Sequence, residues 1–179
     1  LRAQMNPHFV FNCLNSVNRF ILLNQPLAAS QYLTKFARLI RLVLENSRSE
    51  MISLEKELET LGLYIEMEAL RFADRFSYAI ELDESMEANC IDIPPMLIQP
   101  YVENAIWHGL LHKKGKDGRL DIAVRLLGKD LQVEITDNGV GRFVANLLKS
   151  KSASEHKSFG MSVTAERLQL LSKLYNRDI

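Results

Sequence analysis

Long apolar runs are missing from this chain of 179 residues. No stretch approaches the roughly 20 apolar residues needed to span a bilayer, and no secretory leader pattern is visible. Charge of one sign is missing too. Lysine and arginine number 22 and aspartate and glutamate 22, for a net charge of zero. That argues against direct nucleic-acid binding through a strongly basic surface, while leaving room for a localised phosphate site. Cysteine is scarce: Cys13 and Cys90 lack metal-ligand spacing, and reduced thiols fit better than a lone disulfide. There are no internal repeats and no low-complexity tracts. The chain also lacks a start methionine, opening at Leu1 in helix-like chemistry. We therefore expect a segment of a longer protein, with any membrane attachment in its upstream part. Hydrophobic residues, at 47%, suffice to build a core.

What is present begins with a histidine. His8 lies in the run Gln4-Met5-Asn6-Pro7-His8-Phe9-Val10-Phe11-Asn12, where proline stiffens the backbone just before a titratable side chain. A helix starting near Pro7 puts His8, Asn12, Asn15 and Arg19 on one face and Val10, Leu14, Val17 and Ile21 on the opposite one. The histidine is then held outside the helix's own apolar seam. Asn24-Gln25-Pro26 breaks this helix, and a second follows to Asn46 with Leu33, Phe36, Ile40 and Val43 at helical spacing. Two amphipathic segments across a short break predict an antiparallel hairpin. Each seam asks for a partner surface, so a homodimeric four-helix bundle is the natural assembly.

Ser53 ahead of Glu55 and Glu57 predicts a helix start, and Leu54, Leu58, Leu61 and Ile65 give its apolar stripe, running to about Phe72. The period then changes. Phe76, Tyr78, Ile80 and Leu82 alternate with polar or small residues, as in a half-buried strand. Ile91-Asp92-Ile93 reads as a short strand before Pro94-Pro95, and Met96 to about Leu111 as a helix. Leu120 to Leu127 and Leu131 to Thr136 are strands joined at Gly128-Lys129-Asp130. Residues 150–158 are a polar loop and Met161 to Tyr175 a last helix. The fold class is α+β: an N-terminal helical hairpin, then an α/β sandwich with a mixed, mostly antiparallel sheet and helices on one face. The expected domains are a helical element over 1–50, a connector helix over 51–74, and a second domain over 75–179 truncated at its C-terminus.

Three constellations carry chemistry. In Gln99-Pro100-Tyr101-Val102-Glu103-Asn104-Ala105-Ile106-Trp107-His108-Gly109, Asn104 and His108 share a helix face, with Glu103 adjacent. A carboxamide beside a carboxylate suits Mg²⁺. Taken alone, a buried asparagine satisfying backbone groups and a helix-end histidine explain the run better. Ile135-Thr136-Asp137-Asn138-Gly139-Val140-Gly141 follows a strand. It is an ordinary turn signal, but its carboxylate can accept from an exocyclic amine and its glycines allow close ligand approach. Ser158-Phe159-Gly160-Met161-Ser162-Val163 leads into a helix whose first amides can face an anion, or is simply a loop glycine before a helix. Their order and spacing are more specific than any one of them.

Together these residues resemble, over nearly the whole chain, the cytoplasmic transmitter region of LytS-type sensor histidine kinases. Gln4 to Val17 resembles the phosphoacceptor box, Ile93 to Gly109 the N box, Ile135 to Gly141 the G1 box, and Ser158 to Leu171 a divergent G2 box. The resemblance implies a dimerisation and phosphotransfer element joined to an ATP-binding domain of the gyrase, Hsp90, histidine-kinase and MutL (GHKL, or Bergerat) type. It implies that His8 accepts the γ-phosphoryl group of ATP and that Asn104 coordinates Mg²⁺. Asp137 would bind the adenine amine, with Gly139 and Gly141 shaping the pocket. Gly160 and Met161 would meet the phosphates at the end of a lid spanning about 142–159, and Glu103 and His108 would line the site. The partner would be a response regulator, of the kind carrying a LytTR DNA-binding domain, and the protein would be a bacterial membrane-associated sensor with this region in the cytoplasm. Asn12, one turn after His8 on the same face, either positions a water for dephosphorylation of that partner or is simply a helix-surface asparagine. Trp107 replaces a lysine common in the N box, and Ser158 and Val163 depart from the usual glycine and asparagine of the G2 box. Phe9 stands where many histidine kinases carry the acidic residue that orients the histidine. These departures keep open an alternative: a nucleotide-binding signalling module with weak or no kinase activity.

Overall fold

The computed structural model describes residues 7–141 apart from 74, 85, 114 and 129, with side chains described from Phe9 onward. Two helices come first, α1 (Pro7–Leu22) and α2 (Pro26–Asn46). Asn24 takes the left-handed conformation at φ 55° that a short polar side chain tolerates, and Pro26 starts α2 where a missing N–H is harmless. The result is the expected hairpin. It closes through Tyr32, whose ring lies 5.7 Å from that of Phe20 and whose hydroxyl bonds the Cys13 sulfur at 3.7 Å.

The phase of both helices differs from the expected one. On α1 the inward side chains are Phe9, Cys13 and Ser16, with Val17 and Phe20 packed beside them, while Leu14 and Ile21 are 48% and 59% exposed. On α2 they are Ala29, Tyr32, Leu39, Val43 and Asn46; Leu33 faces outward, and Phe36 and Ile40 are half-buried. Each helix has enough apolar residues for two stripes. Tertiary contacts select the one that carries the aromatic rings, Phe9 against Tyr64 of the third helix and Tyr32 against Phe20 of α1.

That third helix, α3 (Leu54–Arg71), is the axis of the molecule. The Ser53 hydroxyl accepts from the Lys56 N–H, the cap expected of it. The stripe of Leu54, Leu61 and Ile65 is buried, but so are Glu57, Thr60, Tyr64, Met67 and Glu68, because α3 is covered on more than one side. The hairpin packs on it through a buried Asn46–Thr60 hydrogen bond of 3.0 Å and two ion pairs of 2.6 Å, Lys35–Glu66 and Arg38–Glu59. The ion pairs are half-exposed and add at most about 1 kcal/mol each. Docking rests mainly on the rings and aliphatic groups; truncating one buried phenyl ring costs about 3–5 kcal/mol.

Past α3 lie β2 (Phe76–Leu82), a single 3₁₀ turn (Ala88–Cys90), β3 (Asp92–Ile93), a site helix described below, β4 (Gly118–Leu127) and β5 (Asp130–Asp137). The strand order is β2-β4-β5, with β2 parallel to β4 and β4 antiparallel to β5. The fold is thus α+β with a mixed sheet. Leu120, Ile122 and Val124 of β4 are buried while Arg119 and Arg125 are exposed, so one sheet face meets the helices. A second, two-stranded sheet pairs β3 antiparallel with β1 (Ile52–Ser53) just ahead of α3. Two residues carry no readable period, and β1 is not evident from sequence. Among the described residues no helix is long and apolar enough to cross a membrane. The expected lid, the last helix, Gly160 and Met161 lie outside the described residues.

Candidate functional site

The site helix begins later than its apolar pattern implies. Residues 95–98 form a turn, with Met96 at φ 56°, and regular helix α4 spans Gln99–Asn104. The cause is Glu57. This buried carboxylate of α3 accepts the Met96 N–H at 2.8 Å and the Ile98 N–H at 3.1 Å, holding the chain in a turn before the helix can start. A negative group at that end also suits the helix dipole. Beyond Asn104 the backbone widens into a π turn, Ala105–Gly109, and tightens into a 3₁₀ turn, Leu110–His112. Wide turns of this kind are frequent at functional sites.

Gly109 ends that π turn against the loop after β5. A Cβ added to Gly109 would lie 2.5 Å from Oδ1 of Asp137, and one added to Gly139 would overlap the backbone of Gly109. The Val140 N–H donates to the Gly109 carbonyl at 3.2 Å. Only glycines allow the two backbones to come this close. The contact brings together two segments separated by a hairpin of strands: the helix bearing Glu103, Asn104 and His108, and the loop bearing Asp137, Gly139 and Gly141. Asp137 is exposed at the end of β5, and its Oδ1 accepts the Gly139 N–H at 2.9 Å, which fixes the carboxylate. Asn138 holds the loop: its Oδ1 accepts from the Arg119 N–H at 2.7 Å and its Nδ2 donates to the Asp117 carbonyl at 3.0 Å. Gly141, at φ 77°, turns the chain away. Asn104 and His108 are half-buried on one side of the helix.

Among the described residues no group of three or more His, Cys, Asp and Glu side chains could hold a metal ion. Asn104 offers one carboxamide oxygen. A hard cation there fits only if phosphate and water oxygens complete its shell, which is how Mg²⁺ is usually held.

Glu103 does not stand alone. Gln99 Nε2 donates to its Oε1 at 2.8 Å, and burial raises its carboxyl above the usual range despite that bond. It faces a polar centre that the sequence reading missed. Glu68 is fully buried, bonded by Arg71 Nη1 at 3.2 and 3.4 Å; burial pushes its carboxyl up to about 7, against the pull of the guanidinium. The Arg71 guanidinium sits 4.6 Å from the centre of the Phe72 ring and 4.7 Å from that of Trp107. Tyr64, also fully buried, has its hydroxyl pushed well above the usual tyrosine range, first of all by burial. One sign of this centre was readable: Leu61, Tyr64, Ile65 and Glu68 follow the 3, 4 and 7 spacing of a buried stripe, which places an acid in the core.

His8 lies in the first turn of α1, one residue before Phe9, whose ring is buried 5.1 Å from that of Tyr64. Asn12 is half-buried one turn on, with its carbonyl accepting from the Ser16 hydroxyl at 2.9 Å.

Comparison with known proteins points to one family. A family model described as histidine kinase matches residues 1–76. The sensor histidine kinase YpdA of Escherichia coli (strain K12) is 40% identical over 141 residues, covering 79% of this chain and 24% of that protein. The sensor protein LytS of Staphylococcus saprophyticus is 32% identical over 168 residues, 94% of this chain and 28% of that protein. The sensor histidine kinase/phosphatase LytS of Staphylococcus aureus (strain Mu50) is 30% identical over 174 residues, 95% of this chain and 29% of that protein. The chain therefore spans about a quarter of the length of these curated relatives. With a glycine-locked pair of motifs at one end, a helix bearing His8 at the other and this likeness along most of its length, the chain belongs to the LytS-type sensor histidine kinases.

Proposed function

We propose that this chain is the transmitter part of a two-component sensor kinase that uses ATP to phosphorylate its own His8 and passes the phosphoryl group to an aspartate of a response regulator. The observation that supports this reading is the Gly109–Gly139 contact, which sets the end of the helix carrying Asn104 and His108 against the loop carrying Asp137. In this reading residues 75–179 form a GHKL-type nucleotide-binding domain, 51–74 the connector and 1–50 the phosphotransfer and dimerisation element. The second carboxylate oxygen of Asp137 takes the adenine amine, while Gly139 and Gly141 leave room for the base. The Asn104 carboxamide oxygen holds Mg²⁺, which neutralises phosphate charge when bound. Glu103 and His108 line the phosphate side, and Gly160 and Met161 complete it. The nucleophile must be an imidazole nitrogen with a free lone pair, so His8 has to react in its neutral form. Transfer then depends on positioning more than on covalent help from the protein.

Dimerisation follows from the hairpin's outer faces. Phe11, Leu14, Ile21, Leu27, Leu33 and Leu44 are all exposed, and a second copy would bury them in a four-helix bundle. Membrane attachment belongs to an upstream segment, with this part in the cytoplasm. The response regulator is of the LytTR type, and the relative named kinase/phosphatase supports a phosphatase activity as well, with water taking the phosphoryl group.

The test is incubation with radiolabelled ATP and Mg²⁺ beside a His8→Gln variant. We expect acid-labile label on the wild type and none on the variant. Nucleotide binding without label would select the signalling-module alternative, and absence of binding would refute both.

A further inference from the structure

We propose that Arg71 binds the phosphates of the nucleotide, with its guanidinium held against the π turn by the Trp107 ring. The inference deepens the kinase reading above and rests on it. Arg71 is the last residue of α3. Its guanidinium carbon lies 4.7 Å from the centre of the Trp107 ring and 4.6 Å from that of Phe72. The two rings meet edge-on, 5.7 Å apart at 85°, and the cation sits in the corner they make. Trp107 belongs to the π turn and stands between Asn104 and His108 in the chain. A positive charge from another helix is thereby fixed against the turn that follows Asn104, the proposed Mg²⁺ ligand.

A counter-ion for Glu68 need not be built this way. Among the described residues the side-chain hydrogen bonds of Arg71 all leave from Nη1, at 3.2 and 3.4 Å to the two oxygens of Glu68. A guanidinium serving only its carboxylate does best with two nitrogens side by side, the paired geometry that makes such bonds strong. Here Nε and Nη2 remain for another acceptor. Neither is sealed in, because among the described residues the buried side-chain polar atom left without a partner is Asp121 Oδ1. The Arg71 side chain is 16% exposed, while that of Glu68 is fully covered. Burial also raises the carboxyls of Glu68 and Glu103, which weakens both as counter-ions, whereas a guanidinium keeps its charge. A rigidly seated, charged fork with donors to spare suits the oxygens of a phosphate. Adenosine, which carries no phosphate, gains nothing from it.

The test is calorimetric binding of ADP with Mg²⁺, and of adenosine, to the whole chain. Arg71→Met keeps an apolar stem against the two rings and removes the charge. We expect ADP affinity to fall about ten- to a hundredfold, as for a lost charge-assisted hydrogen bond, with adenosine affinity within about twofold. That variant also leaves Glu68 buried without its cation, which destabilises the fold. Glu68→Gln and Glu68→Gln/Arg71→Met therefore repeat the comparison with no orphaned acid, and the same ratio for ADP should appear between them. Unchanged ADP affinity on loss of Arg71, a fall confined to the background that retains Glu68, or an equal fall for ADP and adenosine overturns the inference while leaving the kinase reading intact. Failure of the wild type to bind ADP overturns both.

Discussion

Replacing Glu68 with glutamine tests the physical account of the core most directly. The native carboxylate is fully buried, and two influences oppose each other on it: loss of hydration, which disfavours the charge, and the Arg71 guanidinium, which favours it. The nearby Glu103 carboxyl adds to the first. Burial wins, and the group titrates near 7 instead of 4.5. The folded protein then binds a proton on Glu68 that the unfolded chain has already released between those values. Stability contributed by this group is full below the unfolded value and is lost as pH rises through the folded one. At about 1.4 kcal/mol per pH unit, the interval gives an upper bound of about 3.5 kcal/mol between pH 4.5 and 8. Urea unfolding of the wild type and of Glu68→Gln at pH 5.5, 6.5 and 8 reads this directly. The variant cannot ionise, so its stability curve should fall less with rising pH; groups common to both cancel in the difference. If Arg71 in fact dominated, the group would titrate low, and the difference between the proteins would be flat across this range. Parallel curves would refute the reasoning.

Three further outcomes are expected. Gly139→Ala must push the loop away from Gly109, and we expect about 1–3 kcal/mol of lost stability with nucleotide affinity at least tenfold weaker by calorimetry; unchanged binding would show that the two motifs need not touch. Glu57→Ala strips the acceptor from the Met96 and Ile98 amides, and thermal unfolding should report a loss of about 2–4 kcal/mol for two charge-assisted bonds with their donors left buried. Asn12→Ala should abolish dephosphorylation of the response regulator while His8 still takes label; equal loss of both activities would show that Asn12 only shapes the helix.

Much of the fold is legible along the chain because its elements are long and periodic. The hairpin break at Asn24 to Pro26, the Ser53 cap, the alternation over Phe76 to Leu82 and the β4–β5 hairpin all follow from local chemistry. The phases of α1 and α2 do not. Leu14 and Leu33 suit a buried stripe as well as Phe9 and Tyr32 do, and only tertiary contacts separate them: Phe9 meets Tyr64 of α3, and Tyr32 meets Phe20 and Cys13 of α1. The start of the site helix is hidden for a similar reason. Its apolar pattern runs from Met96, but Glu57, 39 residues earlier, takes the Met96 amide. The candidate site is legible as motifs and not as geometry: Asp137-Asn138-Gly139 is an ordinary turn until Gly139 is seen against Gly109.

The sequence by itself determined which residues can do chemistry: a histidine at a helix start, an asparagine and a histidine one turn apart, and an aspartate between a strand and two glycines. It did so because side-chain type and local period are properties of short segments. Tertiary structure alone decided which of them meet, and which charges enter the core. Close approach at Gly109 and the Phe9–Tyr64 ring contact join residues far apart in the chain, and the Glu68–Arg71 pair, local in sequence, is buried by elements that are not. Such contacts depend on the packing of whole elements against one another, which no local pattern encodes.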